Sequence, residues 1–104
     1  EALDFELFIH LTHLNLSNNS VKSITGIKLT QCTTLKVLDL SFNKIRDQHK
    51  DIADYLNNLP SLKKVYLVGN PFLTTYKDSS ILKHLNKDRM LQLKVFTAET
   101  LPFV

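Results

Sequence analysis

The apolar positions of the chain follow one pattern that occurs three times. In each copy an apolar residue is followed three and five positions later by two further apolar residues; an asparagine and another apolar residue complete the pattern. The copies begin at Leu11, Leu35 and Leu62, so the second repeat is slightly longer than the first. Because residues two apart on an extended backbone lie on one face, the pattern predicts three short strands, each with one apolar face.

A single strand of this kind cannot bury its apolar face by itself. If the strands stack side by side in parallel, their apolar residues form continuous columns that bury one another. The two predicted interior columns are Leu14, Leu38 and Val65, and Leu16, Leu40 and Leu67.

The asparagine of each copy stands where the chain leaves the strand and turns inward. These residues are Asn19, Asn43 and Asn70. An amide side chain has both donors and an acceptor, and a buried backbone group without a partner costs about 1–3 kcal/mol. The sequence therefore predicts that the three amides hydrogen-bond to backbone groups of the turn.

The segments between the strands predict a bend and a helix. Gly26 predicts a tight bend rather than a long helix after the first strand. In the second interval a stripe with helical spacing predicts a helix that Asp47 caps. The stripe is Ile52, Tyr55, Leu56 and Leu59, and the predicted solvent face is Gln48, His49, Lys50, Asp51 and Asp54.

Both ends of the chain also predict regular structure. Leu3, Leu7 and Phe8 follow helical spacing. Near the other end a helix is expected to begin at residues 78–80, and residues 93–98 repeat the strand pattern in degraded form. The apolar stripe of that helix is Ile81, Leu82 and Leu85, with Tyr76 packing ahead of it.

The threefold motif and its spacing resemble those of the leucine-rich repeat family. The turn at Gly69-Asn70-Pro71, with the tyrosine, helix and last strand that follow, is similar to the C-terminal cap of intracellular members. Phe96-Thr97 departs from the usual Leu-Asp ending of that cap.

The resemblance implies a fold and a domain organisation. The fold class is α/β: a right-handed leucine-rich repeat solenoid with parallel strands on the concave face and helices and turns on the convex face. Residues 1–10 would be an N-terminal cap or the end of a preceding repeat. Residues 11–72 would hold three repeat motifs with their convex segments, and residues 73–104 the C-terminal cap.

The composition indicates where in the cell the protein is located. Of the 104 residues, 43% are apolar and 22% are charged, as in ordinary globular proteins. No apolar run approaches the roughly 20 residues that span a bilayer. Cys32 is the only cysteine, whereas small secreted domains usually depend on disulfides. We therefore predict a cytoplasmic protein without membrane contact and leave a nuclear or cytoskeletal location open.

The sequence contains no recognised catalytic or metal-binding motif. His10 and His13 are three positions apart and would point to opposite faces of a strand. Gly26 and Gly69 are the only glycines, so there is no glycine-rich loop to hold a phosphate. Cys32 is expected to be buried and structural. We predict a protein that is not an enzyme and has no cofactor, metal or small-molecule substrate.

The outward positions of the strands are the remaining candidate site. Parallel stacking would align them into three rows: His13, Val37, Lys64 and Val95; Asn15, Asp39, Tyr66 and Thr97; and Ser17, Ser41 and Val68. Folding does not require these positions to be apolar, although strands favour β-branched and aromatic residues in general. The predicted partner-binding residues are His13, Asn15, Val37, Asp39, Lys64, Tyr66 and Val68.

The family resemblance implies a protein-protein interaction module that binds a protein partner through its concave face. Two alternatives stay open. One is an RNA-associated domain like the leucine-rich repeat domains of messenger-RNA export receptors, in which a basic C-terminal helix contacts phosphates, although the sequence shows no aromatic and basic platform. The other is an architectural component of a cytoskeletal or ciliary assembly.

Overall fold

A computed structural model describes residues 3–4, 10–29, 32–75 and 81–97 of the chain. In chain order the elements are β1 (Leu3–Asp4), β2 (His13–Asn15), a first 3₁₀-helix (Ile24–Gly26), β3 (Ile27–Lys28), β4 (Val37–Asp39), α1 (His49–Asn57), β5 (Lys64–Tyr66), α2 (Phe72–Thr75), a second 3₁₀-helix (Ile81–His84), α3 (Lys87–Gln92) and β6 (Lys94–Phe96). Among these helices none is long and apolar enough to cross a membrane.

Four strands form a parallel sheet, which we call the main sheet, in the order β2-β4-β5-β6. The register pairs Leu14 with Leu38 and Leu38 with Val65, which confirms the predicted interior column, and it adds Val95 on β6. Leu38 and Val65 are fully buried, whereas Leu14 is partly buried because β2 is an outer strand of this sheet.

A second, two-stranded sheet lies outside the main sheet. β1 pairs in parallel with β3, and Leu3 is opposite Ile27. The helical expectation for the start of the chain is therefore wrong at Leu3, because its backbone pairs with a strand that lies beyond β2 in the chain. Leu7 and Phe8 lie outside the described residues.

The core joins the inner face of the main sheet to the first 3₁₀-helix and to α1. Leu38, Ile24 and Ile52 are fully buried in one apolar cluster. Cys32 is buried, as predicted. The bend predicted at Gly26 is the end of the first 3₁₀-helix.

The start of α1 differs from the prediction. Gln48, not Asp47, is the residue that precedes the helix. The Asp47 carboxylate instead accepts hydrogen bonds from Ser23 Oγ (2.8 Å) and from the backbone N–H of Ile24 (3.1 Å). Asp47 thus holds the start of the first 3₁₀-helix, in the preceding repeat.

His49 is buried, so its predicted place on the solvent face of α1 is wrong. Only 6% of its surface is exposed, and its ring packs edge-to-face on Phe72 with 5.2 Å between ring centroids. His49 lies three positions before Ile52 and therefore shares the buried side of the helix. Burial, and then the nearby His84, lower the pKa of His49.

Tyr55 joins α1 to the preceding repeat. Its hydroxyl donates a hydrogen bond to the backbone carbonyl of Ile27. Burial, and then the nearby Cys32, raise the pKa of Tyr55. The hydroxyl therefore stays protonated and remains a donor.

The region after β5 is less regular than a single helix. Ile81–His84 is a 3₁₀-helix, α3 follows it, and Ile81 and Leu85 are buried as predicted. Asn57 at the end of α1 donates to the His84 carbonyl and accepts from the backbone N–H of Asn86. The predicted helix start at residues 78–80 and Tyr76 lie outside the described residues.

The predicted asparagine bonds are present, and two of the side chains link neighbouring repeats. Asn43 Nδ2 donates to the carbonyls of Leu16 (2.9 Å) and Leu40 (3.0 Å), while its Oδ1 accepts from the N–H of Val21 (3.1 Å). Asn70 makes the equivalent contacts one repeat later, with Leu40, Leu67 and Ile45. Asn43 and Asn70 are buried.

Asn19 has a more limited role. Its Nδ2 donates to the carbonyls of Leu16 and Ser17, both within its own repeat, and its side chain is exposed. The link between repeats is therefore made by the two later asparagines.

We expect Asn43→Asp and Asn43→Leu to lower the free energy of unfolding by about 2–4 kcal/mol. Neither replacement can donate to the Leu16 and Leu40 carbonyls, and the leucine also leaves the Val21 N–H without its acceptor. Chemical denaturation measures the loss. Asn19→Asp is the matched control and should lose about 1 kcal/mol or less, because its bonds face water. Equal losses at both positions would contradict the inter-repeat role.

The lowered pKa of His49 makes stability depend on pH in one direction. An unfolded histidine binds its proton near pH 6.5, whereas folded His49 resists protonation, so the unfolded state binds more protons below that pH. The contribution of His49 to stability should be complete above pH 6.5 and should fall as the pH drops below it. Denaturation curves across this range should show a weaker dependence for His49→Phe than for the natural chain. An unchanged dependence would assign the effect to another group.

Candidate protein-binding surface

The outward side chains of the main sheet form two rows. The register places His13, Val37, Lys64 and Lys94 in the first row, and Asn15, Asp39, Tyr66 and Phe96 in the second. Six of the seven predicted binding residues are thus adjacent on one face. Val68 follows β5, and its backbone carbonyl accepts a hydrogen bond from Phe42 N–H (2.8 Å).

The predicted positions on the fourth strand are wrong by one residue. Val95 belongs to the interior column beside Val65, and Lys94 and Phe96 take the outward positions that Val95 and Thr97 were expected to fill. The segment offers two apolar candidates for the interior, and a slip of one residue exchanges the faces of a strand. Because Val95 and Phe96 are both apolar, the residue types alone gave no signal for this choice.

The third predicted row is not a continuous surface. Ser41 is buried, while Ser17 and Val68 are partly exposed. Asn15 Oδ1 accepts from Ser17 N–H (2.9 Å), and Asp39 Oδ1 accepts from Ser41 N–H (3.0 Å). Asn15 and Asp39 therefore shape the turns that follow their strands, and one oxygen of each is already engaged.

The third repeat carries an aromatic residue at the position of Asn15 and Asp39. The Tyr66 ring stacks on the Phe96 ring, with 4.7 Å between centroids and 12° between planes. Lys64 and Lys94 are directly opposite each other two positions earlier, and both are exposed. We call Lys64, Tyr66, Lys94 and Phe96 the β5–β6 patch. An aromatic and basic platform, which the sequence did not reveal, is therefore present.

A further aromatic residue lies where the chain leaves the main sheet. Phe42 is 45% exposed and has φ of +57°, a left-handed conformation that bulky residues rarely adopt. The equivalent residues of the other repeats, Asn18 (φ +58°) and Gly69 (φ +79°), share that conformation. A Cβ at Gly69 would overlap the Phe42 ring, so glycine there lets the ring pack against the backbone.

The described residues contain no group of three or more His, Cys, Asp or Glu side chains that could hold a metal ion. The face of the main sheet instead offers two exposed ammonium groups, an aromatic pair and hydrogen-bonding groups. These groups are suited to contact with the surface of another molecule.

Part of the chain matches a known protein family. Residues 9–48 match the family model described as leucine rich repeats in two copies. A stretch of 50 residues is 38% identical to the leucine-rich repeat-containing protein ODA7 of Chlamydomonas reinhardtii and covers 48% of the chain and 11% of that protein. The chain therefore contains leucine-rich repeats, and residues 9–48 are the part that matches the family model.

Two other relatives of this leucine-rich repeat chain have informative names. One is the septation initiation network scaffold protein cdc11 of Schizosaccharomyces pombe, 30% identical over 89 residues, or 86% of the chain and 8% of that protein. The other is a dynein axonemal assembly factor 1 homolog of Drosophila pseudoobscura pseudoobscura, 38% identical over 76 residues, or 69% of the chain and 5% of that protein. The chain thus spans between 5% and 11% of the length of the three relatives.

We expect Gly69→Ala to lower the free energy of unfolding by about 1–3 kcal/mol, because alanine strains the left-handed backbone and its Cβ meets the Phe42 ring. Chemical denaturation of a double-mutant cycle with Phe42→Ala separates the two causes. In the Phe42→Ala background only the backbone strain persists, so the loss should be smaller. Equal losses in both backgrounds would show that the ring contact has no role.

Proposed function

We propose that the chain is a non-catalytic protein-binding module that holds a segment of a protein partner on the outward face of its main sheet. In this proposal the repeats form a right-handed solenoid whose concave face is the main sheet and whose convex face carries the helices and turns. Residues 1–10 are an N-terminal cap or the end of a preceding repeat, residues 11–72 hold the three repeats, and residues 73–104 are the C-terminal cap.

The observation that carries the proposal is the β5–β6 patch. Like charges directly opposite each other on neighbouring strands destabilise a sheet, so folding does not account for Lys64 beside Lys94. Aromatic residues are enriched in binding hot spots and in interface cores, and the Tyr66–Phe96 pair faces outward beside these charges. A partner segment with acidic and apolar side chains would complement both features.

The other predicted residues extend the site across the sheet. His13, Asn15, Val37 and Asp39 continue the two rows toward β2, and Val68 lies beyond the patch. The basic residues Lys64 and Lys94 lie on β5 and β6 at one side of the face, and Asp39 lies on β4, nearer the other side. This polarity would fix the direction in which an extended partner crosses the strands.

Association with RNA is a second candidate, because the patch places lysines beside aromatic rings. The two rings pack on each other, so each has only one face left for a base, and stacking on free rings supplies much of the affinity for single strands. A protein partner therefore fits the patch better. RNA binding that weakens steeply with salt and is lost on removing Lys64 and Lys94 would favour the second candidate.

The names of two relatives agree with a role in assembly. One is called a scaffold protein and another an axonemal assembly factor. We infer by analogy that the chain acts in a cytoplasmic or cytoskeletal assembly, where it holds one protein near others and needs no cofactor.

We expect Tyr66→Ala combined with Lys64→Ala to weaken partner binding roughly 10- to 100-fold without unfolding the chain. A photo-crosslinking residue at position 66 would first identify the partner, with position 28 on β3 as the matched control site. Titration calorimetry then compares the natural chain with the double variant. Lys64→Ala with Lys94→Ala leaves the ring stack intact and should weaken binding by a smaller factor. Crosslinks from position 28 with none from position 66 would place the site elsewhere. Equal partner affinities of the natural chain and the Tyr66→Ala, Lys64→Ala variant would lead to the same conclusion.

A further inference from the structure

A basic groove lies outside the four strands of the main sheet. It has a volume of about 450 Å³ and is lined by Lys22, Lys44, Arg46 and Pro71. The four residues come from the three repeats and follow the motif asparagines by one or three positions. We call this site the basic groove. No residue of the β5–β6 patch lines it.

Repeat stacking brings the cationic residues together. Lys22 and Arg46 occupy the same position in successive repeats. Backbone hydrogen bonds align the two segments: Lys44 N–H donates to the Val21 carbonyl (2.8 Å), and Arg46 N–H donates to the Lys22 carbonyl (3.4 Å). The fold therefore places the like charges of Lys22, Lys44 and Arg46 next to one another.

Among the described residues, no acidic side chain lines the groove to balance these charges. Asp47 follows Arg46 in the chain and does not line the groove; its carboxylate accepts hydrogen bonds from Ser23 and Ile24. Among the residues that the structure describes, the one ion pair joins Lys50 to Asp54 (3.0 Å), on α1. Since neighbouring like charges repel, a negatively charged ligand would relieve an unfavourable interaction that folding creates.

We propose that the basic groove is a docking site for an acidic segment of a partner protein. Arg46 binds a carboxylate through its planar guanidinium, and Lys22 and Lys44 bind further carboxylates as point charges. The Pro71 ring and the aliphatic stems of the cationic side chains form the apolar walls, which suit the methylene groups of glutamate.

The groove fits carboxylates spread along a peptide better than a single phosphate or a nucleic acid. The backbone N–H groups of Lys44 and Arg46, which could cradle a phosphate, already donate to carbonyls of the preceding repeat. Lys44 and Arg46 come from one segment, and Lys22 comes from the neighbouring segment of the preceding repeat. Within the described ranges no aromatic side chain lines the groove for a base to stack on.

The test uses a fluorescent glutamate-rich peptide, its glutamine counterpart and a short RNA, titrated with the chain at low ionic strength. We expect the glutamate peptide to bind and the glutamine peptide not to bind. Replacing Lys22, Lys44 and Arg46 together by Gln should weaken binding roughly 10- to 100-fold, because an exposed ion pair contributes up to about fivefold per charge.

A matched control variant distinguishes binding in the groove from an effect of the net charge of the chain. Lys28, Lys83 and Lys87 are exposed and lie outside the groove, so replacing all three by Gln changes the net charge equally and should leave the affinity within about twofold. Arg46→Gln alone is the fallback if the triple variant melts at a lower temperature. Tyr66→Ala with Lys64→Ala should retain most of the peptide affinity. The basic-groove proposal can therefore hold even if the proposed role of the β5–β6 patch is wrong.

Three results would overturn the proposal. In the first, the glutamate peptide does not bind at low ionic strength. In the second, the groove and control variants weaken binding equally, which assigns the effect to net charge. In the third, the RNA binds more tightly than the glutamate peptide and RNA binding is lost in the groove variant, which assigns the groove to nucleic acid.

Discussion

The repeats are held together by a side chain that is both donor and acceptor. Asn43 donates to carbonyls of its own repeat and of the preceding repeat, and it accepts from a backbone N–H of the preceding repeat. Asn70 does the same one repeat later. The Asn43 and Asn70 side chains are buried where the chain turns away from the sheet, so water is largely excluded from these hydrogen bonds. The alignment of strands, and hence of the outward rows, depends on these contacts.

Features that follow from the repeated motif itself could be predicted from the sequence. The strands, the interior column through Leu38 and the asparagine bonds follow from one short motif and the chemistry of an amide. The burial of Cys32 follows in the same way. Each of these predictions needs only the period of the pattern and the requirement that buried polar groups have partners.

The incorrect predictions share a different origin, because each depended on a partner far along the chain or on a choice between similar residues. The sequence pattern assigns Asp47 to its own helix, but the hydrogen-bond donors to Asp47 belong to the preceding repeat. His49 is polar, yet the phase of α1 places it against Phe72. At the last strand Val95 and Phe96 are both apolar, and only the pairing with β5 decides which one joins the interior column. The candidate site gained Lys94 and Phe96 from that pairing.

The unequal repeat lengths have a consequence for how the chain finds its structure. Tandem repeats with identical spacing can pair out of order, since a strand shifted by one repeat meets nearly equivalent neighbours. Here the repeat that begins at Leu35 is longer than the one before it, and it contains α1 with its bonds to Ile27 and to the segment near His84. A strand that paired one repeat out of order would leave this helix without the residues it packs against. The length difference therefore acts against misfolded arrangements and favours a single order of the repeats.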